Sequence, residues 1–138
     1  MERRTHRLTS ERLVGRPLRI EPGKAEVELV TTEEMAVDEY GLVHGGFTFG
    51  LADYAAMLAV NEPTVVLGKA EVRFLKPVKV GEKLIARAEV IEESGGDVGD
   101  GTFSRRKKIV RADVFKGEEK VFEGIFHCYV LEKHVLEE

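Results

Sequence analysis

A chain of 138 residues and 15.4 kDa has room for one domain of ordinary size. Its 43% of hydrophobic residues can build a core, which excludes a disordered tail, and 21 basic against 25 acidic side chains, net −4, argue against nucleic acid as the partner. One cysteine excludes an internal disulfide and every multi-cysteine zinc spacing. The stretch Met1 to Arg7 is too charged to lead into a secretory segment, and no apolar run approaches the roughly 18 residues of a membrane span. The expectation is a cytoplasmic domain that does not engage a membrane. A single asparagine, Asn61, no glutamine and many charges suit a thermophilic source.

In chain order, residues 1–14 read as a lead-in. Leu18 to Val30 is strand material broken by a turn at Glu21-Pro22-Gly23-Lys24, after which Ala25, Val27 and Leu29 alternate with Glu26 and Glu28. Thr31 to Tyr40 is polar and irregular. Gly45 to Asn61 is apolar on almost every side, with Asp53 its only charge, and predicts one buried helix closed by Pro63. Four alternating strands follow: Val66, Ala70, Val72 and Phe74 on one parity; Leu84, Ala86, Ala88 and Val90; Val110, Ala112 and Val114; then Phe122, Phe126, Cys128 and Val130. The glycine-rich stretch Ser94 to Ser104 predicts a long mobile loop, and residues 132–138 a charged, fraying tail. The sum is a single α+β domain over 1–138, an antiparallel sheet of five or six strands curled around one long helix. Such a sheet leaves half the helix uncovered, and a second copy related by a twofold axis is the simplest cover.

Asp53 is the most informative residue. A buried carboxylate without a partner costs several kcal/mol, so a chain that keeps one points to a general base or nucleophile; the plainer alternative is an acid on a narrow wet stripe or bonded to a neighbouring chain. His44-Gly45-Gly46 precedes the helix, and glycine amides at a helix N-terminus suit developing negative charge, as in an oxyanion hole, although paired glycines also serve as plain loop-to-helix turns. Gly45 and Asp53 lie eight residues apart, about 12 Å along a helix. One carbonyl cannot meet both within one chain. A second, antiparallel helix would bring the partner's Asp53 to Gly45, and the packing demand for a dimer leads to the same composite site.

The residues Gly41-Leu42-Val43-His44-Gly45-Gly46, Leu51-Ala52-Asp53 with Ala55-Ala56, and the strand and turn from Val72 to Glu82 resemble the hotdog-fold acyl-CoA thioesterases of the phenylacetate-pathway type. The resemblance runs from about Gly15 to Leu131 and implies hydrolysis of an acyl- or aryl-coenzyme A to free acid and CoA. It implies that the Gly45 amide polarises the thioester carbonyl, with Gly46 beside it and His44 shaping the loop, and that the partner's Asp53 attacks or activates water. No metal or cofactor is implied, and the partners are acyl-CoA and a second copy, as a dimer or a dimer of dimers. Asp38 stands where relatives often carry asparagine, and Val66-Leu67-Gly68 where relatives sometimes carry a small polar residue. Phe47 and Tyr54, with Phe49 and Met57, line an acyl pocket or belong to the core. Arg73, Lys76 and the run Arg105-Arg106-Lys107-Lys108 are candidates for the CoA phosphates or a solvated face. His6, His127 and His134 have no ligand spacing, and Cys128 falls on a core parity. Two other functions remain open: a non-catalytic acyl-CoA-binding hotdog module, disfavoured by Asp53 and by the lack of a DNA-binding segment, and a hotdog hydratase or dehydratase, for which no His/acid pair is evident.

Overall fold

The computed structural model describes residues 1–96 and 105–137. A short helix α1 (Glu11–Val14) leads into strands β1 (Arg16–Glu21) and β2 (Lys24–Val30), then a 3-10 turn at Glu33–Met35 and the central helix α2 (Gly45–Val60). Strands β3 (Val65–Phe74), β4 (Lys83–Gly96), β5 (Arg105–Lys116) and β6 (Glu119–Leu131) follow. All six strands form one antiparallel sheet in the order β1-β2-β4-β5-β6-β3. The sheet folds around α2 as expected from the alternation: its inner face presents Val27, Leu84, Ala86, Val110, Ala112, Val114, Phe122, Phe126 and Cys128, all shielded from solvent. Register breaks in β1, β3, β4 and β6 are bulges, which bend strands and let a sheet curl. Each large apolar side chain fully buried here contributes about 1.5–3 kcal/mol, and Leu51, Met57 and Leu58 of α2 are of that kind. The outer face carries crossed ion pairs, among them Arg87–Glu26 at 3.0 Å and Arg16–Glu28 at 3.1 Å.

Four expectations are corrected. The glycine-rich stretch is not all loop: Ser94, Gly95 and Gly96 extend β4, paired with Lys107, Arg106 and Arg105 of β5, because the ladder continues past the apolar alternation; its remainder, 97–104, lies outside the described residues. In β3 the bulge between Leu67 and Lys69 shifts the parity, so Val65 and not Val66 is the buried residue at the start; Phe74 keeps the inward parity of Ala70 and Val72 and packs on Phe122, but at the strand end it is 56% exposed. Among the described residues, the tail after Leu131 is partly organised, with His134 accepting the amide of Leu136 at 3.0 Å and that of Glu137 at 2.9 Å.

The N-terminal stretch is more than a lead-in. Arg3 donates to the Tyr54 hydroxyl, the Asn61 side chain accepts from the Arg4 amide at 2.7 Å and donates to the Glu2 carbonyl at 2.8 Å, and Thr5 is buried. Residues 2–6 are thereby strapped along the C-terminal half of α2. Asn61 also caps that helix in the left-handed conformation, φ 50°, before Pro63 can act.

Candidate active site

Helix α2 begins against its own composition. Gly45, Gly46 and Gly50 all fall in its first six residues, and each glycine costs a helix about 0.5–1 kcal/mol relative to alanine. His44 is the N-cap, and its Nδ1 accepts the Gly46 amide at 2.7 Å. No described group accepts the Gly45 amide, one of the first-turn N–H groups that a helix leaves without an internal partner. Gly45 lines a cleft together with Leu42, Val43, Thr48, Phe74 and Lys76. Phe74 closes over it so tightly that a Cβ on Gly45 would lie 3.0 Å from the ring.

Gly46, Gly50 and Asp53 follow a 4-then-3 spacing and so share one face of the helix. This is the face the sheet does not cover: Gly46 is exposed, Gly50 and Asp53 half-buried, and a Cβ at Gly50 would meet nothing within 4 Å. The Oδ1 atom of Asp53 is sealed from solvent and has no hydrogen-bond partner among the described residues. Burial pushes the Asp53 carboxyl up to about 6. Beneath it on β6, Cys128 is pushed up to about 12, first by burial and then by the charge of Asp53. The thiol is therefore un-ionised at neutral pH, consistent with a packing residue and with its place in the core.

The remaining predicted residues divide. Lys76 lines the cleft at Gly45, and Phe47 sets its ring edge-on to His44 at 6.2 Å. Asp38 is exposed and accepts the amides of Tyr40 and Leu42 at 3.0 and 3.3 Å, so it caps the turn leading into the site, and it is not among the causes that raise Asp53. Tyr54 and Met57 are each 1% exposed and sit in the core. Gly68 is the bulge residue of β3, beneath Tyr129, and Leu67 packs against the core. Arg73 stands on the outer sheet face beside Arg111, Asp113 and Glu123. Arg106 pairs with Glu62 at 3.2 Å and Lys108 with Glu93 at 3.3 Å. Arg105 opens β5, and its side chain lies outside the described residues. Sequence reasoning passed over Thr48, a hydroxyl in the first turn of an otherwise apolar helix, and Phe74, whose alternation signal pointed inward. Among the described residues no three His, Cys, Asp or Glu side chains could hold a metal, and no helix is long and apolar enough to cross a membrane.

Comparison with known proteins places this geometry. The Thioesterase superfamily matches residues 40–95, the segment holding His44, Gly45 and Asp53. A solved structure of an uncharacterized protein from Pyrococcus horikoshii is 67% identical, covers 99% of this chain and 98% of its own, and superposes with a TM-score of 0.89. A mutant structure of phenylacetic acid degradation protein PaaI from Thermus thermophilus is 27% identical, covers 86% of this chain and 95% of its own, with a TM-score of 0.72. Among curated relatives, a methylthioribose-1-phosphate isomerase of Aquifex aeolicus is 52% identical over 95% of this chain, and transcription factor FapR of Caldanaerobacter subterraneus is 28% identical over 97%. The chain spans only 26% of the first relative's length and 62% of the second's. The chain has the hotdog fold, and its segment 40–95 is similar to the Thioesterase superfamily.

Proposed function

We propose that this chain is an acyl-CoA thioesterase that works as a homodimer with sites shared between subunits. The observation that carries the proposal is Asp53: a carboxylate on the uncovered face of the helix, with one oxygen sealed and unbonded and an acidity weakened to about 6. A carboxylate in that state accepts a proton from water or attacks a carbonyl more readily than a solvated one. The second requirement, an amide donor for the developing oxyanion, is met by Gly45, which lines the cleft and whose N–H no described group accepts, while that of Gly46 is held by His44. Eight residues of helix separate the two, about 12 Å, so the acid acting at Gly45 is the partner's Asp53. Gly46 and Gly50, bare on the same face, let a second helix approach closely. The test is thiol release from a panel of acyl- and aryl-CoAs. Turnover lost in Asp53→Asn with the fold intact supports the assignment, and near-native turnover in that variant sinks it.

The similarity to a protein named as a transcription factor favours one alternative, a hotdog module that binds acyl-CoA without cleaving it. Tight acyl-CoA binding with no thiol release over the whole panel would select that alternative.

A further inference from the structure

One buried hydroxyl near the start of α2 is left without a bond. Thr48, the fourth residue of the helix, is 3% exposed, and its hydroxyl has no partner among the described residues. Threonine in a helix commonly returns its hydroxyl to the carbonyl one turn back. Here the His44 carbonyl takes the Phe47 amide at 3.0 Å, and Thr48 adds no bond to it. Valine would fill the same space without leaving a buried hydroxyl unbonded. Thr48 instead lines the cleft that Gly45 also lines, about 270 Å³ in volume. The walls around the pair are apolar: Val43, Val78 and Val121 are all buried, and Phe74 stands against Gly45.

Residues three apart share a helix face, and side chains lean toward the N-terminus, so Thr48 reaches back over Gly45, which has no side chain to intervene. Their separation is about 4.5 Å of helix rise, and the backward lean shortens it. The Gly45 amide, which no described group accepts, is one of the first-turn donors directed out of the helix end. Two unsatisfied donors, one N–H and one O–H, thus serve one apolar cleft. We propose that Thr48 is a catalytic residue, the second donor of the oxyanion hole. Its O–H and the Gly45 N–H together hold the thioester carbonyl oxygen while addition at the carbonyl carbon moves the π electron pair onto that oxygen. Neither donor gives up its proton, and the pair returns to the carbonyl as the sulfur leaves. The apolar walls strengthen both bonds by keeping water away. The proposal rests on the thioesterase reading for the identity of the reaction.

The experiment measures steady-state hydrolysis and thermal unfolding of the full chain, Thr48→Val and Thr48→Ser, and calorimetric binding of two inert probes. One probe is the ketone analogue of acetyl-coenzyme A with CH2 in place of sulfur; the other is S-ethyl-coenzyme A, which has no carbonyl. Thr48→Val should lower kcat about a hundredfold with KM little changed, the scale of one oxyanion donor. It should unfold no earlier than the native chain, because its hydroxyl had no bond to lose. It should bind the ketone about fivefold more weakly and S-ethyl-coenzyme A as before. Thr48→Ser, which keeps the hydroxyl, should recover most of both losses. An undiminished kcat in Thr48→Val, equal weakening of both probes, or an equal loss in Thr48→Ser would overturn the proposal. Weaker ketone binding in Thr48→Val, with no acyl-CoA hydrolysed by the native chain, would keep the Thr48 contact and remove the thioesterase reading; hydrolysis with kcat unchanged in Thr48→Val gives the reverse.

Discussion

The Nδ1 atom of His44 holds the amide of Gly46 at 2.7 Å, and this bond decides which amide at the start of the central helix remains open. The histidine caps the helix as serine or asparagine would, leaving Gly45 to face the cleft. His44→Ala should therefore cost about 1 kcal/mol of stability, as loss of a cap does. It should also lower kcat more than it raises KM, because Gly46 then competes for the oxyanion. Thermal unfolding and steady-state kinetics check this; an undiminished kcat would mean that the cap does not orient the site.

Burial raises Asp53 from an ordinary carboxylate value of 3.8 to about 6. Between those values the folded state binds more protons than the unfolded one, so folding stability falls as pH rises through that window. At neutral pH the ionised group is a liability of about 1–3 kcal/mol, allowing for its partial exposure. Asp53→Asn should unfold at higher temperature than the native chain at pH 8, and the gap should close near pH 4. Its residual turnover should be small at every pH, whereas native turnover falls as pH drops below about 6. A gap of the same size at both pH values would refute the buried-carboxylate account.

A shared site can be tested by complementation. Gly45 is the first helical residue, where proline is well tolerated, and His44 before it has ψ 129°, the extended backbone that a residue preceding proline prefers. Gly45→Pro thus deletes the donor without breaking the helix, with Phe74 free to shift because it is 56% exposed. Mixing inactive Gly45→Pro with inactive Asp53→Asn should restore about a quarter of native activity, since random dimers of a twofold assembly put one intact site in half of them. No recovery on subunit exchange, or a stable active monomer, would remove the composite site.

Asn61 joins two roles that substitutions can separate. Asn61→Gly keeps the left-handed cap and loses the bonds to Glu2 and Arg4, while Asn61→Ala loses both. The glycine variant should lose about 1–3 kcal/mol for the buried groups left unbonded, and the alanine variant a further 1 kcal/mol or so for the strained backbone. Hydrogen exchange should report residues 2–6 released in both variants. Protection unchanged from native would show that the strap is held by other contacts.

The sequence by itself determined the sheet, the central helix and the odd acid within it. Two-residue alternation and an all-round apolar stretch are local patterns, and burial obeys them. It also marked Gly45 and Asp53 as too far apart to serve one carbonyl within a chain, because helix rise is fixed. Tertiary structure alone decided what surrounds them. The bulge in β3 that buries Val65 in place of Val66, the reach of β4 to Gly96 and the strap from Arg3 to Tyr54 depend on pairings between separate stretches of the chain. The sequence left Tyr54 open between an acyl pocket and the core, and it lies in the core, while Thr48, which no sequence pattern singled out, lines the cleft. Neighbours along the chain carry no information about which side of a curled sheet a given atom meets, so only the folded chain distinguishes Lys79 beside Gly41 from Lys116 between two glutamates.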